Sequence, residues 1–322
     1  MRAILALATI LVLLGVSAAG ALYGLMAYAK KDGPLQTEKL VLIESGTGVR
    51  AMATQLKNEG VIGEPYAFMA VVKLSGSGQS LKAGEYLFPA HISLNAAIDK
   101  IEKGDVYIRK VTVAEGLTSH DVAAIINAAD AMTGQVAAPP EGSVMPDTYT
   151  YSRNDDRAKM LARMQTAMTN ALDALWEKRA PNLPFTTKEQ ALALASVVEK
   201  ETGIGAERAR IAGVFVNRLR AGMRLQSDPT VIYAITKGQS KIERVLYAHL
   251  ETDSPYNTYK YAGIPPGPIC NPGVAAIEAV LNPETNDYLY FVADGTGGHV
   301  FARTMQEHEA NVAKWRAVQK NR

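Results

Sequence analysis

A chain of 322 residues with a formal charge of +2 and 48% hydrophobic residues is long enough for two or three small domains. The near-neutral balance lacks the basic excess of a nucleic-acid binder. The single cysteine, Cys270, rules out an intrachain disulfide and cannot complete a zinc site.

The first segment, Ala3 to Tyr28, contains no charged side chain, and is bracketed by Arg2 and by Lys30 and Lys31. About 20 apolar residues cross a bilayer, so the run reads as a membrane-spanning helix. The rival reading is a signal peptide cleaved after the small residues Ser17, Ala18 and Ala19; the apolar run continues beyond them, which favours a retained anchor. Charges flanking the run do not settle its orientation.

A polar linker over residues 32–38 is followed by brief apolar runs alternating with capped helical patterns. Lys39 to Ile43 reads as a strand, and Val49, Met52 and Leu56 mark a helix closed by Gly60. Pro65 opens a second helix running to Leu74, and Gly84 to Phe88 reads as a strand. Ser93 then caps a helix that turns Leu94, Ala97, Ile98 and Ile101 inward and ends at Gly104. Ile108 to Val113 and Ser119 to Asn127 repeat the strand-then-helix theme, and Pro139 and Pro140 make residues 137–142 a candidate boundary. Further on, Met160, Leu161, Met164, Met168, Leu172 and Leu175 form a helical stripe whose methionines read as core filler. Thr187 with Gln190, and Thr304 with Glu307, are capping boxes, and residues 294–298 form a hairpin turn between Tyr288–Val292 and His299–Arg303. The expected class is α+β.

The helix opened by Thr187 carries the most informative residue. Glu201 lies three residues after Val198, four after Val197 and seven after Leu194, so it continues the apolar stripe. Burial among Leu and Val disfavours the charged form of a carboxyl group and raises its pKa, which is how a general acid is made at neutral pH. Glu199 points roughly the opposite way and, with Lys200, reads as exposed. Asp228 precedes Pro229 at the start of an apolar run, as expected of an N-cap with proline at the first helical position; structural capping is favoured over catalysis. Gln226 has no such structural role, and its amide is a candidate hydrogen-bonding partner for a sugar N-acetyl or hydroxyl group. The run Tyr256, Asn257, Thr258, Tyr259 combines flat rings with amides and hydroxyls, the mixture that holds a sugar. Asp147 reads as a turn residue in preference to a second acid, and Tyr149 beside it stands as a further candidate to contact substrate. Glu207, Arg208, Arg210, Arg218 and Arg220 read as surface or structural pairs rather than substrate ligands, Arg218 the least firmly of them, and residues 265–268 read as a stiff cleft wall. Histidine spacing shows no metal site, Gly-x-Ser-x-Gly is lacking, and Gly295 and Gly297 sit in a hairpin rather than a dinucleotide fingerprint. No metal, cofactor, nucleotide or nucleic acid is therefore expected.

The runs Val198-Glu199-Lys200-Glu201-Thr202, Val214 to Leu219, Leu225 to Thr230, Tyr256 to Tyr259 and Gly263 to Gly267, in this order, resemble the endolytic murein transglycosylase family (MltG-like, or YceG-like). The resemblance implies a cytoplasmic tail and anchor over 1–31, a linker over 32–38, a LysM-like subdomain over 39–112 and a catalytic domain over 113–322, with its core at 187–322. It also implies a single-pass protein of the bacterial inner membrane with its catalytic part on the periplasmic side. The substrate would be the glycan strand of peptidoglycan, cut internally between N-acetylmuramic acid and N-acetylglucosamine beside the synthases that extend it, and Glu201 would be the catalytic acid. Two competing functions share these residues: a muramidase that uses water on the same bond, and a non-catalytic anchored peptidoglycan-binding protein.

Overall fold

A computed structural model describes residues 2–320 as a mixed α+β protein of two compact units. The first runs to Arg109 and reclaims Tyr151–Asn154; the second holds Lys110–Thr150 and the chain from Asp155 onward.

In the first unit, helix α1 (Arg2–Lys30) is long and apolar enough to cross a membrane, and its side chains are exposed over most of its length. Among its described residues only those of the last turns bury apolar groups, Ala29 fully and Leu25 in part, against the unit's core. Strand β1 (Lys39–Ile43) pairs antiparallel with β2 (Gly84–Phe88), Lys39 facing Phe88 and Ile43 facing Gly84. Side chains alternate across a strand, so Val41 and Ile43 are buried while Leu40 is exposed. Helices α2 (Val49–Asn58), α3 (Pro65–Ser75) and α4 (Leu94–Lys103) bury Leu56, Phe68 and Ile101 against Tyr86 and Phe88. Ser93 caps α4 by accepting from the Ala96 N–H, and Gly104 ends it at φ +72, a left-handed conformation that glycine adopts without penalty. The buried Glu85 carboxylate is held by Arg109 and by Arg153, the latter at 2.9 Å.

The second unit opens within β3 (Arg109–Val113), from Lys110 onward, and β3 pairs with β4 (Asp147–Tyr151). Between them lies α5 (Ser119–Ala128), closed at its start by a capping box of Thr118 and Asp121. Helix α6 (Arg157–Trp176) lays Met160, Met164, Met168 and Leu172 inward. Helices α7 (Lys188–Glu201) and α8 (Gly205–Arg220) follow, then α9 (Asp228–Thr236), the single turn α10 (Tyr247–Leu250) and α11 (Val274–Leu281). Leu194, Val197 and Val198 of α7, Ile211 and Phe215 of α8, and Ile277 and Val280 of α11 share one apolar core. The chain ends in the hairpin β5 (Tyr290–Ala293) and β6 (His299–Ala302) and in α12 (Met305–Lys320). Asp294 sets the hairpin turn by accepting from the Thr296 and Gly298 N–H groups.

Arg157, at the first position of α6 and only 8% exposed, braces this unit. Its guanidinium donates to the carbonyls of Ile126, Ala129, Met132 and Gly134, at 2.6 to 2.9 Å. Removal of a buried donor leaves its acceptors without partners, at about 1–3 kcal/mol each where water cannot replace it. Arg157→Ala is expected to lower unfolding free energy by roughly 3 kcal/mol; a denaturant titration that shifts by less than about 1 kcal/mol would refute the brace.

Candidate active site

Helix α7 is buried around most of its surface, including Ala193, Leu194, Ala195, Ser196, Val197 and Val198. Its end therefore lies deep in the unit, and two carboxylates leave that end in opposite directions. Glu201 is the last helical residue, and Thr202, buried, closes the turn to α8 by accepting from the Ile204 N–H at 2.9 Å. Glu201 enters a cavity of about 470 Å³ that also exposes Arg218, Gln226, Asp228, Tyr259, Tyr290 and His308. Loss of hydration pushes its pKa up to about 7, Asp228 adds to the rise, and a hydrogen bond from the Ser227 hydroxyl, with the more distant charges of His299 and Arg218, opposes it. Ser227 donates to Oε1, while Oε2 has no hydrogen-bond partner among the described residues. A carboxyl group protonated at one oxygen and held at the other is arranged for proton transfer.

Ser227 is itself fixed. Its N–H donates to the Thr258 hydroxyl at 3.0 Å, and Thr230 donates to its carbonyl at 2.6 Å while sharing a 2.8 Å hydrogen bond with Thr258. All three residues are buried. Gln226, preceding it, adopts φ +52 and donates its N–H to the Thr258 carbonyl, a left-handed conformation that costs a non-glycine residue energy. This kink turns Ser227 inward and leaves the Gln226 side chain in the cavity wall.

The expected sugar-binding residues divide. Gln226 and Tyr259 line the cavity. Asn257 is fully buried and donates to the carbonyls of Leu250 and Thr252, so its amide braces a loop. Tyr256 packs on Tyr233 with ring centroids 4.9 Å apart, outside the cavity lining. Tyr149 lies in β4 with its hydroxyl donating to the Met145 carbonyl at 2.7 Å, and burial pushes its pKa up to about 12. Asp147 starts the same strand and accepts from the Thr148 N–H. Residues 263–266 wall a different depression, with Leu219 and Glu189.

Two further expectations are corrected. Asp228 is the first residue of α9 rather than its N-cap; Ser227 occupies that position without making a cap bond, because its hydroxyl is committed to Glu201. The Asp228 carboxylate instead accepts from the Tyr259 hydroxyl at 2.6 Å and lines the cavity. Burial and this carboxylate both raise the Tyr259 pKa. Glu199 is not exposed: its side chain is 6% accessible, with Oε2 accepting from the Gly273 N–H at 2.9 Å and Oε1 paired with Arg208 at 3.4 Å. Burial raises its pKa as well, but both oxygens are occupied by the fold.

Ser227, Tyr290, Met305 and His308 are site residues that the sequence reading does not single out. Ser227 had an available signal, its place between Gln226 and Asp228. The others reach the cavity from β5 and α12, far downstream in sequence, with no local pattern to mark them.

The fold and the site define a mixed α+β protein with one desolvated acid in an open cavity. The chain belongs to the YceG-like family, which matches residues 41–314. It is 34% identical to an endolytic murein transglycosylase of Bacillus subtilis, over 91% of this chain and 89% of that protein. It is 29% identical to an endolytic murein transglycosylase of Streptococcus pneumoniae, over 94% of this chain and 64% of that protein. The 2.6 Å crystal structure of a yceG-like protein from Listeria monocytogenes aligns with a TM-score of 0.52 at 30% identity, covering 85% of this chain and 99% of that one.

The raised Glu201 pKa has a consequence for stability. The folded state binds a proton between the ordinary value of 4.5 and about 7, so stability is fully retained below the unfolded value and falls as pH rises through this window. Glu201→Gln removes that loss. The variant is expected to be more stable than the parent by about 2 kcal/mol at pH 8, allowing for water in the cavity, and equal to it near pH 4. Thermal unfolding at the two pH values checks this; a gap independent of pH would sink the assigned pKa.

Proposed function

We propose that this protein is a membrane-anchored lytic transglycosylase that cuts peptidoglycan glycan strands internally, between N-acetylmuramic acid and N-acetylglucosamine. The observation that carries the reading is Glu201 in the cavity, desolvated to a pKa of about 7 with one oxygen unbonded. Its relatives' names supply the substrate class.

Glu201 donates its proton to the glycosidic oxygen, and the C1–O bond of the muramic sugar breaks. The 6-hydroxyl of the same sugar attacks C1, and the Glu201 carboxylate takes the hydroxyl proton, leaving a 1,6-anhydro ring and a regenerated acid. The 2-acetamido group of the sugar assists between the two steps. No second protein nucleophile is needed, unlike in ordinary glycosidases. Asp228, fixed by Tyr259, contributes negative charge that stabilises the positive C1 centre and helps keep Glu201 protonated. Gln226 and Tyr259 contact the sugar, and Arg218 holds the adjacent backbone. Residues 39–112 are the LysM-like part, α1 is a single-pass anchor with the remainder on the periplasmic side, and tethering beside the synthases places the cut on newly made strands, ending their growth.

Glu201→Gln is expected to fold and to lose activity by at least the roughly 10²- to 10⁴-fold of general acid catalysis. Glu199→Gln should retain catalysis with reduced stability, since its carboxylate braces the start of α11. Mass spectrometry of products from purified peptidoglycan discriminates the mechanisms: 1,6-anhydro ends support the reading, reducing ends from water attack indicate a muramidase, and no release at all leaves a binding protein.

The anchor has its own test. Full-length protein should stay with membranes in high salt and leave them in detergent, because apolar burial rather than charge holds it. A truncated chain beginning at Gly24 keeps Leu25 and Ala29, which pack on the core, and should be soluble. A mature amino terminus found near Gly20 in cells would overturn the retained anchor.

A further inference from the structure

Arg157 and Arg218 are each 8% exposed, yet their guanidinium groups are used differently. Every nitrogen of Arg157 donates to a carbonyl. Arg218 donates from Nε to the Leu289 carbonyl at 2.6 Å and from Nη1 to the Leu225 carbonyl at 2.7 Å, with longer contacts to Arg224 and Gln226. Its Nη2 has no hydrogen-bond partner among the described residues, and no carboxylate there pairs with it. Burial lowers its pKa, the mark of a cation short of compensating charge. Because Arg218 lines the Glu201 cavity, its unused donors are offered there.

His308 approaches the same place from α12. Its ring stacks on Tyr290 at 5.2 Å and 22°, and the Arg218 guanidinium lies 5.3 Å from that same tyrosine ring. Nδ1 is enclosed without a partner, and neither ring nitrogen makes a hydrogen bond among the described residues. Burial and the Arg218 charge lower its pKa, keeping the imidazole neutral, with one donor and one acceptor nitrogen. Polar groups this deep in a protein are normally paired. Nη2 of Arg218 and Nε2 of His308, which unlike Nδ1 is not enclosed, both lie beside Tyr290 in the lining of the cavity that holds the acid.

Resting on the reading that this cavity takes an N-acetylmuramic acid residue, we propose that Arg218 and His308 bind the carbonyl oxygen of its 3-O-lactyl substituent, the group that N-acetylglucosamine lacks. A guanidinium suits either form of that group: the free carboxylate of a peptide-free strand or the amide carbonyl of a peptide-bearing one. The pair would thus set which sugar stands next to Glu201, and hence which of the two alternating bonds is cut.

The test uses the full-length Glu201→Gln protein in detergent and measures binding by calorimetry. The probes are a tetrasaccharide of alternating N-acetylglucosamine and N-acetylmuramic acid, the same tetrasaccharide with L-alanine amide-linked to each lactyl group, and tetra-N-acetylchitotetraose. The lactyl-bearing ligands should bind on the order of tenfold tighter than the chitotetraose, the size of one hydrogen bond to a charged group. Adding His308→Ala should erase that preference and leave chitotetraose binding unchanged; Arg218→Gln should erase the preference too, with some loss of chitotetraose binding because Arg218 also holds the Leu225 backbone. His308→Ala keeps the test decisive if Arg218→Gln does not fold, because among the described residues no hydrogen bond depends on the imidazole. A loss confined to the free acid assigns the site to peptide-free strands, and a loss of both assigns it to their shared carbonyl; either supports the proposal. An unchanged preference in His308→Ala, or equal binding of all three probes by Glu201→Gln itself, overturns it. Cleavage products appearing in the Glu201→Gln samples would instead indict the assignment of the acid, a failure visible separately by mass spectrometry.

Discussion

The site depends on where α7 stops. A helix buried on most of its faces carries its last residues into the interior, and Glu201 inherits that depth from Leu194, Val197 and Val198 before it. Its position at the carboxyl end acts in the same direction as desolvation, since the helix dipole places partial negative charge there. Both influences favour the neutral acid. The Ser227 hydroxyl and the charge of Arg218 act the other way, and the balance leaves the group near neutrality instead of permanently protonated.

The two carboxylates of one short motif illustrate how environment separates roles. Glu199 and Glu201 are both desolvated and both raised. Glu199 has an N–H on one oxygen and a guanidinium on the other, and it ties α7 to the start of α11 and to α8. Glu201 has one hydroxyl and an open side. A raised pKa alone therefore does not distinguish a brace from an acid; the unoccupied oxygen beside a cavity does.

Local structure was legible because it is locally encoded. Thr187 with Gln190 and Ser93 with Gly104 delimit helices by contacts within a few residues, so boundaries follow from caps. The orientation of Glu201 followed from helical periodicity in the same way. Chemical composition misled where side chains face alternatives. The amide and rings of the Tyr256–Tyr259 run look suited to a sugar, yet the loop carrying them needs its own carbonyls satisfied, and Asn257 serves those at Leu250 and Thr252. Asp228 looked like a cap because Asp-Pro starts helices, but the cap position fell one residue earlier, on a serine bound to the acid. Arg218 and His308 meet only after β5 and α12 fold back on α8, a tertiary event without any local signature.

In the proposed reaction one carboxyl group must give up a proton and then recover one within a single turnover. An acid with an ordinary pKa of 4.5 would be ionised before substrate arrived at neutral pH, and one buried without opposition would be too weak a donor to protonate a glycosidic oxygen efficiently. A value near the working pH serves both steps. The Thr230–Thr258–Ser227 network then has a reason to be buried and mutually bonded: the hydroxyl that opposes desolvation must keep a fixed geometry, since the pKa responds directly to that hydrogen bond. The left-handed backbone at Gln226 is the conformational cost of delivering Ser227 to that position. Strain there and desolvation at Glu201 are thus parts of one arrangement, in which stability at high pH is given up so that the acid stays protonated.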